Sequence, residues 1–509
     1  MHHSHFIYPT LMHGPTVAIP TGKGVLHCRA TATLVPRNAC HPENISAETQ
    51  PVIWQFPQFN HTPQQSLWLR LIPAVDVRSY TMIRVYTGQS HQFLAQQSVG
   101  LPSVYEPLDI PLPDDSASLI AKEGLQLELY GNEPMHVFVQ QGRATETDIT
   151  NDALSSGLVV QPAGQTRSEL IHALEKRLCS AGSWQAWSWM GGCVLDGLWA
   201  LSQVGSIQSG QHFTDAIDRF FDAYMTDYDL VCFTPKSVMV VNEIGGVEGG
   251  LPWATMIRQR PDHPVTELFA NFIPRFLSEQ QQNQHYTCEG NYTFTYPMMV
   301  TALAKGRQDW VRQVWDNLRS WQDALRQHDG LYLRNSAGKL TYRNWARGCC
   351  WYSLGLVRTM QAAQTAGVIL PDDLLEEVND VLRWLLAQQR ADGLWSNFID
   401  EQAMLPDTSG SAGIAAAMTI AANEGMLEET LAQSCFQAAN DALDTLLHYV
   451  TADGHLTGVA PNNKAESGTT LQRQSYRVTI QFGTGLLGSL LAAQRQAKPE
   501  ISDGDAIRY

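Results

Sequence analysis

The stretch Tyr342–Met360 (Tyr-Arg-Asn-Trp-Ala-Arg-Gly-Cys-Cys-Trp-Tyr-Ser-Leu-Gly-Leu-Val-Arg-Thr-Met) combines residue types suited to holding an acidic sugar. Arg347 lies between Trp345 and Trp351. A guanidinium presents a planar fork to a carboxylate, and indole rings present flat faces to a sugar ring. The same trio also suits a purely structural cation–π contact. The polar, aromatic first half gives way to an apolar helical run through Leu354, Leu356, Val357 and Met360. Asn344 is the expected N-cap of that helix. Trp345, Arg347 and Gly348 then fall in its first turn, at the mouth of whatever the helix points into.

The elements that must position this stretch are helical. From Thr166 onwards the apolar residues recur with a helical period, and about twelve helices are expected up to Gln494. They alternate in character. Val247–Gln259, Ser409–Glu424 and Gly483–Gln494 are small and apolar nearly all round, as inner helices are. Asp309–Gln327, Pro371–Gln389 and Glu428–Val450 are amphipathic, as outer helices are. The outer helices end in a repeated phrase with Asp329-Gly330, Asp392-Gly393 and Asp453-Gly454, the aspartates 63 and 61 positions apart. Asp-Gly stops a helix, with Gly taking the left-handed position. A repeat of this length predicts stacked helical hairpins, six of which close into a double-ring (α/α)6 barrel. The loops Glu243–Gly250, Glu289–Tyr296, Asn344–Gly348 and Asp407–Gly410 are expected to converge at one end. There the N-termini of the inner helices form a partly positive floor.

Residues 1–141 read instead as short alternating strands broken by prolines, the pattern of an N-terminal antiparallel β-sandwich. Val25–Val35, Ser66–Ile72, Tyr80–Tyr86, Gly124–Tyr130 and Met135–Val139 are the expected strands. No motif of the barrel mouth occurs among them, so this part is expected to serve packing or assembly. Residues 142–165 are polar and expected as a linker, 166–497 as the barrel and 498–509 as a tail.

A net charge of −16 and the lack of a Lys/Arg cluster argue against nucleic acid and anionic membranes as partners. They also mean that an anionic substrate needs its own arginines. The nine cysteines are scattered apart from Cys349–Cys350, and no CxxC pair suggests zinc. They read as reduced, buried thiols of a cytoplasmic protein, and no metal or cofactor is expected. The N-terminus lacks the basic start and apolar core of a signal peptide. No apolar run reaches membrane-spanning length.

Four segments resemble the six-hairpin glycosidases, especially the unsaturated uronyl hydrolases of glycoside hydrolase families 88 and 105. They are Trp187-Ser188-Trp189-Met190-Gly191-Gly192, Glu243-Ile244-Gly245-Gly246, Trp345-Ala346-Arg347-Gly348-Cys349-Cys350-Trp351 and Asp407-Thr408-Ser409-Gly410-Ser411-Ala412. The resemblance implies an enzyme that removes a terminal uronic acid from an oligosaccharide. In that family an Asp protonates the C4=C5 double bond, water adds at C5, and the hemiketal falls apart. This chain departs from the pattern where the family has a paired-Asp motif at the start of an inner helix. It reads Phe294-Thr295-Tyr296-Pro297-Met298-Met299 there, and Arg334 stands near the place of a family His.

The candidate catalytic carboxylates are therefore Glu243, Glu289 and Glu248. Glu243 falls on the family's other acid, and Glu289 precedes the altered helix start. Two carboxylates flanking a glycosidic bond also suffice for ordinary hydrolysis of a saturated uronide. Arg347, Trp345, Trp351, Arg334, Trp189, Tyr296 and Asp407 are the candidate substrate-binding residues. Glu248 and Asp407 read equally as helix caps, and Glu289 as a solvated loop residue. The expected partner is a uronic-acid-containing oligosaccharide, with self-association into a homo-oligomer left open. Two other readings stand beside hydrolysis. One is a barrel that keeps sugar binding without catalysis, and the other is a lyase using Tyr296 and His285.

Overall fold

The computed structural model describes residues 5–9, 11–13, 16–19, 29–37, 52–139, 155–204, 207–233, 239–462 and 468–497. The expected strand residues 25–28, most of the expected linker and the expected tail from 498 lie outside them.

Among the described residues, twelve helices build the barrel. Trp189–Val204, Pro252–Gln259, Tyr296–Ala304, Ala346–Thr365, Thr408–Asn423 and Gln481–Gln496 form the inner ring. Each packs on the next, and the last closes on the first. Between them run the outer helices Arg167–Leu178, Ile207–Tyr224, Thr266–Asn283, Gln308–Leu325, Asp372–Ala387 and Glu429–Leu447. The Asp-Gly phrases do what their chemistry requires. Gly330, Gly393 and Gly454 have φ of 144°, 81° and 89°, a region that a side chain would strain. The fold is thus the expected (α/α)6 barrel preceded by antiparallel sheets. Among the described residues no helix is long and apolar enough to cross a membrane, and the described cysteines are all buried.

The described residues of the N-terminal part form three antiparallel sheets. One orders His5–Ile7, Gly157–Pro162, Gln65–Leu71 and Leu108–Leu112, and a second centres on Leu125–Tyr130 between Val52–Gln55 and Tyr80–Thr87. Leu69, Ile83, Leu127 and Val160 meet in one apolar core. The stretch expected as a linker therefore contains a strand. Leu158-Val159-Val160 lies paired on both edges, and all six residues of the strand are buried. Its apolar run is too short to stand out against its polar surroundings.

This unit is fused to the barrel. Ile72, Ala74, Val104, Tyr105 and Phe138 belong to the barrel's own core. Arg70 Nε donates to Asp109 (2.6 Å) and Arg70 Nη1 to Asp453 (2.5 Å), while Arg177 Nη2 donates to Asp453 (2.8 Å). Asp453, the third aspartate of the repeat, is thus the post to which the sheets are tied.

One helix start differs from expectation. Helix Ala346–Thr365 is headed by Trp345 without a side-chain cap. Asn344 lies one residue earlier with φ 57°. Its side chain accepts from the Leu331 N–H (3.0 Å) and donates to Asp400 (2.9 Å). It ties the strand Gly330–Ser336 to the helix rather than capping it.

Candidate active site

A cavity of about 490 Å³ opens at the barrel end that receives the loops leading into the inner helices. Its walls include Trp189, Glu243, Glu248, Glu289, Arg334, Trp345, Arg347 and Trp351. Eight of the ten candidate residues therefore meet in one space, although they span more than 160 positions of sequence. Tyr296 and Asp407 are not among its lining residues.

Glu289 illustrates how the fold assembles the acids. The inner helix expected to begin at Tyr296 in fact starts at Glu289 and passes through a π-helical turn, Asn291–Thr295. Pro297 imitates a helix start in the sequence. Gly355 lets the neighbouring inner helix press against this turn, since a Cβ there would lie 2.4 Å from the Asn291 carbonyl carbon. The carboxylate heading this helix is consequently Glu289. Its Oε2 accepts from Thr287 Oγ1 (2.8 Å), and Arg334 Nη2 lies 3.7 Å from Oε1. Strand pairing places that arginine, because Thr287 is in register with Arg334.

Glu248 sits in the 3-10 turn Gly246–Gly249, just before the inner helix Pro252–Gln259. That helix and the one headed by Glu289 are neighbours. Glu248 is solvent-exposed on the cavity wall, with Glu289 and Arg334 lining the same space. Desolvation raises its pKa, the Glu289 charge raises it further, and Arg334 opposes both. Two carboxylates in contrasting surroundings result, one pushed towards its protonated form and one beside a guanidinium. Glu243 lies at the exposed rim, in the loop after strand Met239–Val241.

The floor is aromatic and dry. Arg347 is 1% exposed. Its Nη1 donates to the Ala460 carbonyl (2.7 Å) and its Nη2 to the Pro461 carbonyl (2.9 Å). The guanidinium lies over the rings of Trp345 (4.5 Å) and Phe482 (5.1 Å). Burial presses its pKa below the ordinary arginine value, against the pull of Asp407. The fork expected to grip a sugar carboxylate is thus turned towards a backbone turn, and the structural cation–π reading describes this residue. Arg347→Lys keeps the charge but loses the two-pronged contact. It is expected to lower stability by about 1.5–3 kcal/mol, read as a shift of the denaturant midpoint. An unchanged midpoint with weakened uronide binding would return Arg347 to the substrate.

Asp407 holds the other side of the same turn. It caps helix Thr408–Asn423, accepting from the Ser409 N–H (3.1 Å), Ser409 Oγ (2.7 Å) and the Ala460 N–H (3.0 Å). The two most family-like motifs therefore meet at Ala460, and Asp407 acts as a cap. Tyr296 is 1% exposed. Its hydroxyl donates to Asp196 (2.9 Å) and accepts from Arg258. Asp196 also accepts from Tyr292 Oη (2.7 Å) and pairs with Arg358 (3.1 Å), which makes a buried polar cluster between inner helices. A lone Asp within the apolar helix Trp189–Val204 was its only sequence signal. Neither Tyr296 nor His285, whose ring bonds Ser336 (2.8 Å), is placed to act as a lyase base in this cavity.

Of the tryptophans, Trp351 stacks on Tyr292 (5.8 Å) and Trp345 lies against Arg347, whereas Trp189 is half-buried and touches Trp351 edge-on (5.4 Å). Trp189 is the most exposed of the three rings. Sequence reading did not anticipate that Asp76, Arg78, Ser103 and Val104 of the N-terminal part, and Asn462, also line the cavity. The sheet unit therefore supplies part of the cavity wall. Its only trace in the sequence is a charged Asp-Val-Arg triplet after an apolar strand.

The model of Glycosyl Hydrolase Family 88 matches residues 164–494. Among solved structures, a possible member of family GH105 from Salmonella enterica superposes with a TM-score of 0.52 at 14% identity, covering 66% of this chain and 96% of that one. A possible GH105 member from Klebsiella pneumoniae gives 0.52 at 15%, covering 70% and 99%. A family 105 glycoside hydrolase from C. acetobutylicum gives 0.51 at 17%, covering 65% and 98%. At these identities the likeness is one of fold. The 24.9 kDa protein in picA locus of Rhizobium radiobacter is 34% identical over 111 residues, 20% of this chain. The chain spans about half of that relative's length, 45%. The family match covers the whole barrel, inner and outer rings alike, and by it this chain belongs to glycosyl hydrolase family 88.

Proposed function

We propose that the chain is an exo-acting uronyl hydrolase that removes a terminal 4,5-unsaturated uronic acid from an oligosaccharide. The observation that carries this is the carboxylate pair Glu248 and Glu289, heading two neighbouring inner helices and differing in their charge surroundings. Glu248, whose hold on its proton is strengthened by desolvation and by the Glu289 charge, donates a proton to C4 of the double bond. Positive charge develops at C5 and the ring oxygen, and the Glu289 carboxylate stabilises it. Glu289 then takes a proton from the water that adds at C5. The hemiketal opens, C1 becomes a hemiacetal, and the leaving sugar departs. Arg334 is only loosely paired with Glu289 and is one-third exposed. It is the more accessible donor for the sugar carboxylate, since Arg347 is buried and bonded to the Ala460 and Pro461 carbonyls. Trp189 supplies a ring face, and Glu243 stands at the mouth, where the rest of the oligosaccharide leaves.

A panel of lyase-generated unsaturated disaccharides and saturated aryl uronides tests this. Loss of the enol-ether absorbance supports the hydration route. Release of aryl alcohol from a saturated glucuronide or galacturonide would replace it by two-carboxylate hydrolysis at the same pair. Binding without turnover of either class would leave a carbohydrate-binding barrel.

A further inference from the structure

We propose that Arg78, carried into the cavity by the N-terminal sheet unit, forms a subsite for an oxyanion on the second sugar of the substrate, the one next to the bond that is cleaved. This rests on the uronyl-hydrolase reading for which sugar lies deepest.

The loop 72–79 joins strands Gln65–Leu71 and Tyr80–Thr87 and reaches the cavity wall beside the barrel loops. Arg78 is held there from two sides. Its Nη2 pairs with Asp76 (2.9 Å), whose other oxygen accepts from the Val104 N–H (2.8 Å). Its own backbone N–H donates to Glu133 (2.6 Å). The support is itself braced. The Val77 N–H donates to the Pro102 carbonyl (3.0 Å) and the Tyr105 N–H to the Pro73 carbonyl (2.9 Å). Leu101 and Tyr105 adopt φ of 55° and 67°, an uncommon conformation for side-chain-bearing residues. Asn462 Nδ2 of the barrel donates to Ser103 Oγ (2.9 Å) across the join. A surface arginine of no consequence would not need such a mount.

Exposure separates the cavity's three arginines. Arg347 is 1% exposed and engaged with carbonyls. The Arg334 side chain is 33% exposed, beside Glu289. The Arg78 side chain is 44% exposed, at the mouth, while the Asp76 that anchors it is 5% exposed. In an exo-acting pocket the terminal sugar occupies the floor, so a group at the mouth meets the next sugar. Glu243 lies at the same rim, and the chain as a whole carries −16. An anionic second sugar would be repelled there without a positioned cation. A fixed guanidinium supplies one, and its fork suits a sulfate or a carboxylate alike.

Three unsaturated-uronyl disaccharides of one linkage distinguish these sources: a plain second sugar, a 6-sulfated one and a uronate. With the 509-residue chain, kcat/KM is expected to favour at least one anionic substrate over the plain one by about tenfold. Arg78→Gln should collapse that ratio to within about threefold of unity, and Arg78→Lys should keep part of it. The substrate that responds identifies the oxyanion. A parent ratio near unity for both anionic sugars, or a ratio that survives Arg78→Gln, overturns the proposal. If the parent turns over none of the three, the hydrolase reading fails separately. Calorimetric binding of the same sugars then decides: a preference lost in Arg78→Gln upholds the subsite, and no preference removes it.

Discussion

Glu248→Gln is expected to lower kcat on an unsaturated uronyl disaccharide by about 10²–10⁴-fold, the usual contribution of a positioned proton donor. Glutamine keeps the size and hydrogen-bonding reach of the side chain but has no proton to give. Glu248 sits in a short turn at the cavity, so the variant should unfold at the parent's temperature. The pH profile gives a sharper readout. Glu248 must be protonated to act, so activity falls as pH rises through its pKa, which desolvation and Glu289 both raise. The alkaline limb of kcat should vanish in Glu248→Gln. Removing the charge of Glu289 should move that limb to lower pH, because a repulsion that favours the neutral acid is lost. Removing Arg334 should move it to higher pH. If Glu248→Gln keeps parental kcat while Glu243→Gln abolishes it, the proton donor is the residue at the rim and the pair has been misassigned.

Asp453→Asn is expected to cost about 3–5 kcal/mol of stability, the range for breaking a buried ion pair from one side. The side chain of Asp453 is 9% exposed and faces two guanidiniums, at 2.5 Å from Arg70 and 2.8 Å from Arg177. Asparagine would leave Arg177 without its carboxylate and Arg70 with Asp109 alone. It would also turn an amide N–H₂ towards positive charge. Burial by itself would raise the Asp453 pKa, but the two arginines together hold it well below the carboxylate range. A depressed carboxyl stabilises the fold fully above its unfolded pKa, about 3.9, and that stabilisation is lost as pH falls from there towards the folded value. The parent should therefore lose stability more steeply than Asp453→Asn below about pH 4, while the gap between them stays constant near neutrality. Chemical denaturation followed by tryptophan fluorescence measures both. A loss under about 1 kcal/mol would mean that water reaches the network and that the sheets are held by apolar contact alone.

Much of the fold was legible because its signals are local. A helical period, an alternation of small apolar and amphipathic helices, and an Asp-Gly stop every sixty-odd residues each depend on a few neighbouring side chains. Together they dictate six hairpins. The short buried strand Gly157–Pro162 escaped because three apolar residues cannot announce a partner strand some ninety positions earlier. The head of the inner helix at Glu289 escaped because Pro297 marks a start more loudly than a π-turn does.

The gathering of the site was legible only in outline. The acids, the arginines and the tryptophans were named from residue type and from the loops that a closed barrel brings together. What surrounds each one depends on contacts made across the chain. Arg347 has the composition of a carboxylate clamp, yet it is buried and both of its Nη atoms donate to carbonyls 113 and 114 positions away. Glu248 is set apart from Glu243 only by the protein around it and by the charge of Glu289. Arg78 enters the cavity only because the sheets dock where they do. Residue type and spacing determined which chemistry this protein could hold. Tertiary structure decided which group is dry, which is paired and which still faces the cavity, because hydration and ion pairing depend on what is near in space.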